Sequence, residues 1–386
     1  MGAARRGGSA VERLERAARE KRQGQMGDRA MPTRRDCLID LAALGAAAMV
    51  PRTLWGAQAG TGASARPFRI DTHHHFASPR LLAEASAKRI DLLAGMRRWT
   101  PQQSLDDMDR SDVATALLSV TEPGVWFGGD RDAARGLARE SNEYAAKLIR
   151  DYPRRFGLFA TLPLPDVDGS LREIEYALDT LKADGVCVLS SYQGTYLGDA
   201  AFTSVLDELN RRKAVVYCHP YCPACWSGAT SPAAERLPDG QYRLTGGQGR
   251  GVELVVDTTR TIMSVLTSAT ATRCPDIRFI WSHGGGTVPY VSGRLLGPGQ
   301  QLPNGVIAEL QKFYYDTAQA FNPYTLPSFK KLVPISHILF GTDFPLGGGS
   351  IAEVAQGLIA DGGFSAAELR AIDRENALRL FPRLNG

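Results

Sequence analysis

From Arg66 onward, short and nearly continuous apolar runs alternate with longer segments in which apolar residues return every three or four positions. Eight such runs stand out: Phe68–Phe76, Val113–Val120, Phe156–Pro163, Gly185–Tyr192, Ala214–Pro220, Ile277–Gly284, Phe313–Thr317 and His337–Phe344. Each is apolar along its length and turns polar at its end, the pattern of parallel strands buried on both faces. Between them, Arg131–Asp151 repeats Leu137, Tyr144, Ala145 and Leu148 at helical spacing, and Ser170–Lys182 puts Leu171, Ile174, Leu178 and Leu181 on one face. Another helix closes on Arg211-Arg212-Lys213, cations suited to a helix C-terminus, and Glu253–Thr272 is helical again. Eight strands alternating with helices predict an α/β fold, a (β/α)8 or TIM barrel. An open doubly wound sheet is the alternative, but no Gly-rich dinucleotide loop follows the first strand.

The text ahead of this alternation differs. Residues 1–30 are rich in Arg, Gly and Ala, with no face large enough for a core, and are expected to be a disordered N-terminal extension. Residues 31–59 read as a twin-arginine signal peptide. Thr33-Arg34-Arg35-Asp36-Cys37-Leu38-Ile39 precedes the apolar run Leu41–Val50, and Ala57-Gln58-Ala59 offers small residues for cleavage. The expected destination is the periplasm, or the cytoplasm if this segment is an ordinary amphipathic helix. The barrel then occupies residues 66–386. One long insertion, Tyr221–Gly251, follows the fifth strand at the end where barrels carry their active-site loops, as a lid or a subunit contact.

Charge changes the picture little. The formal net charge is +4, but residues 1–59 hold eleven Lys/Arg and six Asp/Glu, leaving 34 basic and 35 acidic groups in the rest. The body has no basic excess to draw nucleic acid. The leader's apolar run is too short for a stable membrane span. Of six cysteines, Cys37 belongs to the leader, and the odd remainder argues against a disulfide framework. Cys222-Pro223-Ala224-Cys225 has no second CxxC beside it and reads as a local disulfide or two thiols.

The candidate chemistry lies at strand ends. In Ile70-Asp71-Thr72-His73-His74-His75-Phe76, residues at i and i+2 share a face, so His73 and His75 point one way and His74 the other. Two imidazoles on one face can grip a divalent cation. Four of the six histidines end strands: His73 and His75 on the first, His219 on the fifth and His283 on the sixth. Asp343 ends the eighth. A barrel gathers these ends on one rim, and imidazoles with a carboxylate suit a borderline-soft metal with a position left open. Three glycines follow His283 and allow close backbone approach, to substrate or to water in the site.

Asp71-x-His73-x-His75, His219, His283-Gly284-Gly285-Gly286 and Gly341-Thr342-Asp343 together resemble the amidohydrolase superfamily, in its metal-dependent decarboxylase branch. That branch includes the aminocarboxymuconate-semialdehyde, gamma-resorcylate and 6-methylsalicylate decarboxylases. Asn142-Glu143-Tyr144 and Asp257-Thr258-Thr259-Arg260 are similar in particular to the last of these. The resemblance implies His73, His75, His219 and Asp343 as ligands of one divalent metal ion, zinc with manganese as the alternative. It makes His283 the acid/base, with Asp343 sharing the catalytic work. Binuclear members of the superfamily end strand four with a lysine, whereas Leu189-Ser190-Ser191-Tyr192 stands here, which favours a single metal. The implied activity is non-oxidative decarboxylation of a hydroxylated aromatic or muconate-like acid. A lactone or amide hydrolase and a non-catalytic metal-binding barrel are the competing readings.

The expected partners are a small-molecule carboxylic acid substrate and further copies of the chain, as a dimer or tetramer. Arg97, Arg98, Trp99, Trp126, Phe127, Arg260 and Arg294 are candidates for meeting the substrate. Replacing Arg34 and Arg35 with lysine should hold the protein in the cytoplasm, and cell fractionation reads this out. Finding the unaltered chain there at full length would contradict the signal assignment.

Overall fold

The computed structural model describes residues 68–90, 92, 94–221, 234–236, 242–244, 250–295, 302–346 and 350–385. The leader, Cys222, Cys225 and most of the 221–251 insertion lie outside them. The apolar runs form β1 (Arg69–His75), β2 (Val113–Ser119), β3 (Phe156–Thr161), β4 (Gly185–Leu189), β5 (Val215–His219), β6 (Arg278–Trp281), β7 (Tyr314–Asp316) and β8 (Ile338–Leu339). Each pairs in parallel with the next along the chain. The seam between β8 and β1 is closed by Thr72 N–H donating to Phe340 O at 2.9 Å, Asp343 N–H to His73 O at 2.9 Å and His75 N–H to Phe344 O at 2.7 Å. The expected (β/α)8 barrel is therefore the fold.

The helices that cover it include α1 (Pro101–Arg110), α2 (Arg131–Asp151), α3 (Val167–Glu175), α4 (Thr203–Arg211) and α5 (Arg250–Thr267). Their starts follow local chemistry. Thr100 accepts the Gln103 N–H with Pro101 opening α1, and Asp130 accepts the Ala133 N–H at the head of α2. Among the described residues, no helix is long and apolar enough to cross a membrane.

Two apolar layers result. The barrel interior is filled by Ile70, Leu117, Phe159, Cys187, Tyr217 and Ile280, with Leu380, Phe381 and Leu384 from the C-terminal segment packed against them. That segment also ties to residues just ahead of the strands, Arg374 to Phe68 O and Arg383 to Asp184. It thus covers the N-terminal end and leaves the other end for function. The second layer lies between strands and helices.

Every strand is shorter than the run that predicts it, β8 most of all, and β6 keeps only Arg278–Trp281 of Ile277–Gly284. β7 keeps only Tyr314–Asp316 and β8 only Ile338–Leu339, because beyond them the Thr317 hydroxyl meets both the N–H and the carbonyl of Gly341 in place of a backbone ladder. The helix expected over Ser170–Lys182 starts earlier, as α3, and continues as a π-turn over Tyr176–Thr180.

Asn142 on α2 holds the functional end of β3. Its amide donates to Thr161 O at 3.0 Å and to Glu173 on α3 at 2.8 Å, and its carbonyl accepts the Thr161 N–H at 2.8 Å. All these groups are buried. Asn142→Ala would strand both backbone groups of Thr161 and should cost about 2–3 kcal/mol, read from the midpoint of denaturant unfolding. An unchanged midpoint would refute this role.

Candidate metal centre

Getting two neighbouring histidines of β1 into the barrel requires a break in its alternation. Ile70 faces the interior, so strict two-residue alternation would carry Thr72 and His74 inward. Between Asp71 and His74 the register slips. Asp71 lies opposite Ala116 and His74 opposite Leu118, so β1 carries one extra residue there. The bulge hands the inward side to His73 and His75.

These two meet His219 from β5, His283 after β6 and Asp343 after β8. One donor atom from each of His73, His219, His283 and Asp343 lies within 4.8 Å of the others. His75 Nε2 is 3.0 Å from His73 Nε2 and 3.1 Å from Asp343 Oδ1, while His73 Nε2 is 3.2 Å from that same oxygen. The second oxygen, Oδ2, faces His283 Nε2 at 3.3 Å. All five side chains are buried.

The outer nitrogens fix which atoms face inward. His73 Nδ1 donates to Asp316 Oδ2 at 2.8 Å, His75 Nδ1 to Ser119 O at 3.3 Å with Ser119 Oγ at 3.0 Å, and His219 Nδ1 to Pro220 O at 2.9 Å. Carboxylates and carbonyls only accept, so these Nδ1 atoms carry the protons and each Nε2 presents a lone pair. Three acceptors, His73 Nε2, His75 Nε2 and Asp343 Oδ1, then converge on one point, an arrangement that needs positive charge among them. The electrostatics agree. Burial works to lower the His73 pKa, yet the Asp316 and Asp343 carboxylates push it up to about 10. Burial lowers His75, and takes His219 well below the usual imidazole value. Burial would raise Asp343, but His73 and the imidazoles of His283 and His75 packed around it hold it well below the usual carboxylate range. The centre draws a cation, as a proton on His73 or as a divalent metal in its place. The donor set thus fits a divalent metal.

His74 faces the other way and anchors a buried network. Its Nδ1 meets Asp71 Oδ2 at 3.0 Å, its Nε2 meets Ser104 Oγ at 2.8 Å, and its ring stacks on Phe344 with centroids 4.7 Å apart. Trp99, a candidate for meeting substrate, is buried here instead, donating its indole N–H to Ser104 Oγ at 2.9 Å. Arg97, Arg98, Arg260 and Arg294 are exposed. Arg97 is engaged with Leu92 O, and Arg260 lies 3.9 Å from the buried Asp257. The three glycines after His283 pack on protein rather than opening the site. A Cβ at Gly286 would sit 2.1 Å from Val255 O on α5. Asp316 and Gln319, whose Nε2 lies 2.9 Å from Asp343 Oδ2, belong to the site and escaped the sequence reading.

Comparison with known proteins gives a consistent picture. A family model described as Amidohydrolase matches residues 70–383. The chain is 36% identical over 331 residues to decarboxylase yanB of Aspergillus niger, covering 82% of this chain and 88% of that one. It is 33% identical over 334 residues to 6-methylsalicylic acid decarboxylase of Penicillium expansum, covering 82% and 97%. A solved structure of a dihydroxybenzoic acid decarboxylase of Polaromonas sp., with bound manganese and the inhibitor 2-nitroresorcinol, matches with a TM-score of 0.66. That match has 23% identity, covers 83% of this chain and 98% of the other, and speaks for the fold alone.

The supporting carboxylate can be tested apart from the cluster. Asp316→Asn should weaken divalent-metal binding about 10–100-fold, measured by chelator competition, while His74→Ser leaves it near the parent value. Equal loss in both variants would contradict the assigned orientations.

Proposed function

The chain belongs to the amidohydrolase family, among its decarboxylases, and on that premise we propose that it removes carbon dioxide, without oxidation, from a hydroxylated aromatic acid of the 6-methylsalicylate kind. The observation that carries the reading is the convergence of His73 Nε2, His75 Nε2 and Asp343 Oδ1 on one point while Asp343 Oδ2 turns to His283. His73, His75, His219 and Asp343 are the proposed ligands of a single divalent ion. Zinc suits the imidazole-rich set, with manganese as the alternative. When bound, such an ion supplies a Lewis acid that holds the substrate's carboxylate and neighbouring hydroxyl and steadies charge on their oxygens.

The rest of the rim supports an aromatic substrate. Tyr217 and Cys187 share the interior and pair across β5 and β4, so His219 and Leu189, two residues on, face the same mouth. One half of the rim therefore carries imidazoles and carboxylates. The other, over β2 to β4, is a cleft lined by Val120, Trp126, Thr161, Leu162 and Leu189 with no charged group. In this reading the ring lies with its carboxylate toward the first half and its hydrocarbon edge toward the second.

The chemistry then assigns the proton. The ring carbon bearing the carboxylate gains a proton, the carbon–carbon bond breaks, its electron pair returns to the ring, and carbon dioxide leaves. Asp343 Oδ2 and His283 Nε2 lie 3.3 Å apart, a pair placed to hold a proton and pass it to that carbon. Arg34-Arg35 and Ala57-Gln58-Ala59 support a further assignment, that residues 31–59 direct the folded, metal-loaded barrel to the periplasm.

Incubating the metal-loaded protein with phenolic acids, lactones and amides tests the reading. Carbon dioxide should come from a phenolic acid, and cleavage of lactones or amides alone would refute it. His283→Ala should keep its metal and lose on the order of 10²–10⁴ in kcat. Asp343→Asn should lose both metal and turnover. If His283→Ala loses its metal, that imidazole is a ligand and the ion's donor set changes.

A further inference from the structure

The turns after β6, β7 and β8 each hold a non-glycine residue in the left-handed region: His283 at φ 54°, Gln319 at φ 53° and Asp343 at φ 64°. Such conformations persist only where surrounding bonds over-determine them. Asp316 supplies those bonds. Its Oδ1 accepts the N–H of His283 at 2.9 Å and of Ala318 at 3.1 Å, and its Oδ2 accepts from His73. The Ala320 N–H closes the turn on Thr317 O at 3.0 Å. The turn carrying Gln319 is thus built onto the carboxylate that orients His73 and suspends His283.

This places the Gln319 amide at the barrel mouth, with Nε2 2.9 Å from Asp343 Oδ2. An ionised carboxylate only accepts, so the N–H end of the amide faces it. The terminal torsion of an aspartate is broad and roughly two-fold, so its two oxygens exchange readily unless both are held. On Asp343, Oδ1 faces the β1 imidazoles and Oδ2 faces His283 and Gln319. We infer that Gln319 is a positioning residue whose amide N–H locks the plane of the Asp343 carboxylate, keeping Oδ1 on the metal side and Oδ2 toward the substrate ring. The inference rests on the reading of Asp343 as both ligand and proton carrier.

Two variants separate the amide from the turn. Gln319→Gly keeps the left-handed turn without strain and removes the amide. Gln319→Glu keeps the shape and replaces the donor with an acceptor. Each is loaded with cobalt(II), and its visible absorption is recorded beside kcat and KM for a phenolic acid that the parent decarboxylates. Both variants should bind one cobalt per chain, show displaced visible bands, and lose on the order of 10–100-fold in kcat, the weight of a hydrogen bond to a charged group. KM should change far less than kcat, as for an interaction needed in the transition state. A variant with the parent spectrum or the parent kcat overturns the proposal, and so does loss of cobalt from Gln319→Gly. If the parent releases no carbon dioxide from any phenolic acid, the decarboxylase reading fails, and the spectra alone then decide whether Gln319 positions Asp343.

Discussion

One buried carboxylate, Asp316, sets the arrangement on which the site depends. A charge with no access to water is costly unless both of its oxygens are hydrogen-bonded. Asp316 meets that demand by accepting from the His73 ring, the His283 backbone and the Ala318 backbone. In doing so it fixes the inward nitrogen of His73, the position of His283 and the turn that presents Gln319. Gly341 makes the approach possible. A Cβ there would lie 2.7 Å from that of Asp316 and 2.9 Å from that of His73. With any larger residue, β1, β7 and β8 could not close around this point.

A second carboxylate does the same for the seam between β1 and β8. Asp71 accepts four hydrogen bonds, from the His73 and Thr342 backbones, the Thr342 hydroxyl and the His74 ring. Behind it the donors run in one direction. Trp99 gives to Ser104, Ser104 to His74 and His74 to Asp71. Thr342 precedes Asp343 and His73 is itself in the cluster, so Asp71, with a chain of groups reaching back to α1 behind it, holds the backbone of the seam. Satisfied networks of this kind favour one rigid arrangement, which a metal centre needs.

Much of this was legible in the sequence, and the remainder had physical reasons to be hidden. The barrel announced itself because strands buried on both faces leave long apolar runs. His73, His75, His219, His283 and Asp343 stood out because polar residues ending such runs must share one rim. Asp316 gave no such signal. It sits between Tyr315 and Thr317 in a strand of three residues, where nothing distinguishes a supporting carboxylate from a strand end. Gln319 was invisible because its role comes from a left-handed turn and not from a motif. Trp99 misled through its neighbours, since two exposed arginines beside it suggested the mouth while its ring is buried behind His74. The glycines after His283 were read as admitting backbone to substrate or to water, and they pack on protein, Gly284 on Ala320, Gly285 on Tyr315 and Gly286 on Val255 of α5.

The central claim is that the inward nitrogens and Asp343 hold one divalent ion on which carbon dioxide release depends. Stripping the protein with a chelator and titrating it with zinc or manganese while following carbon dioxide release from 2-hydroxy-6-methylbenzoate tests it directly. The account predicts no release from the stripped protein and a linear rise that breaks at about one equivalent per chain, as a single site of this donor set requires. Release that survives stripping, or that rises to a break at two equivalents, would contradict it.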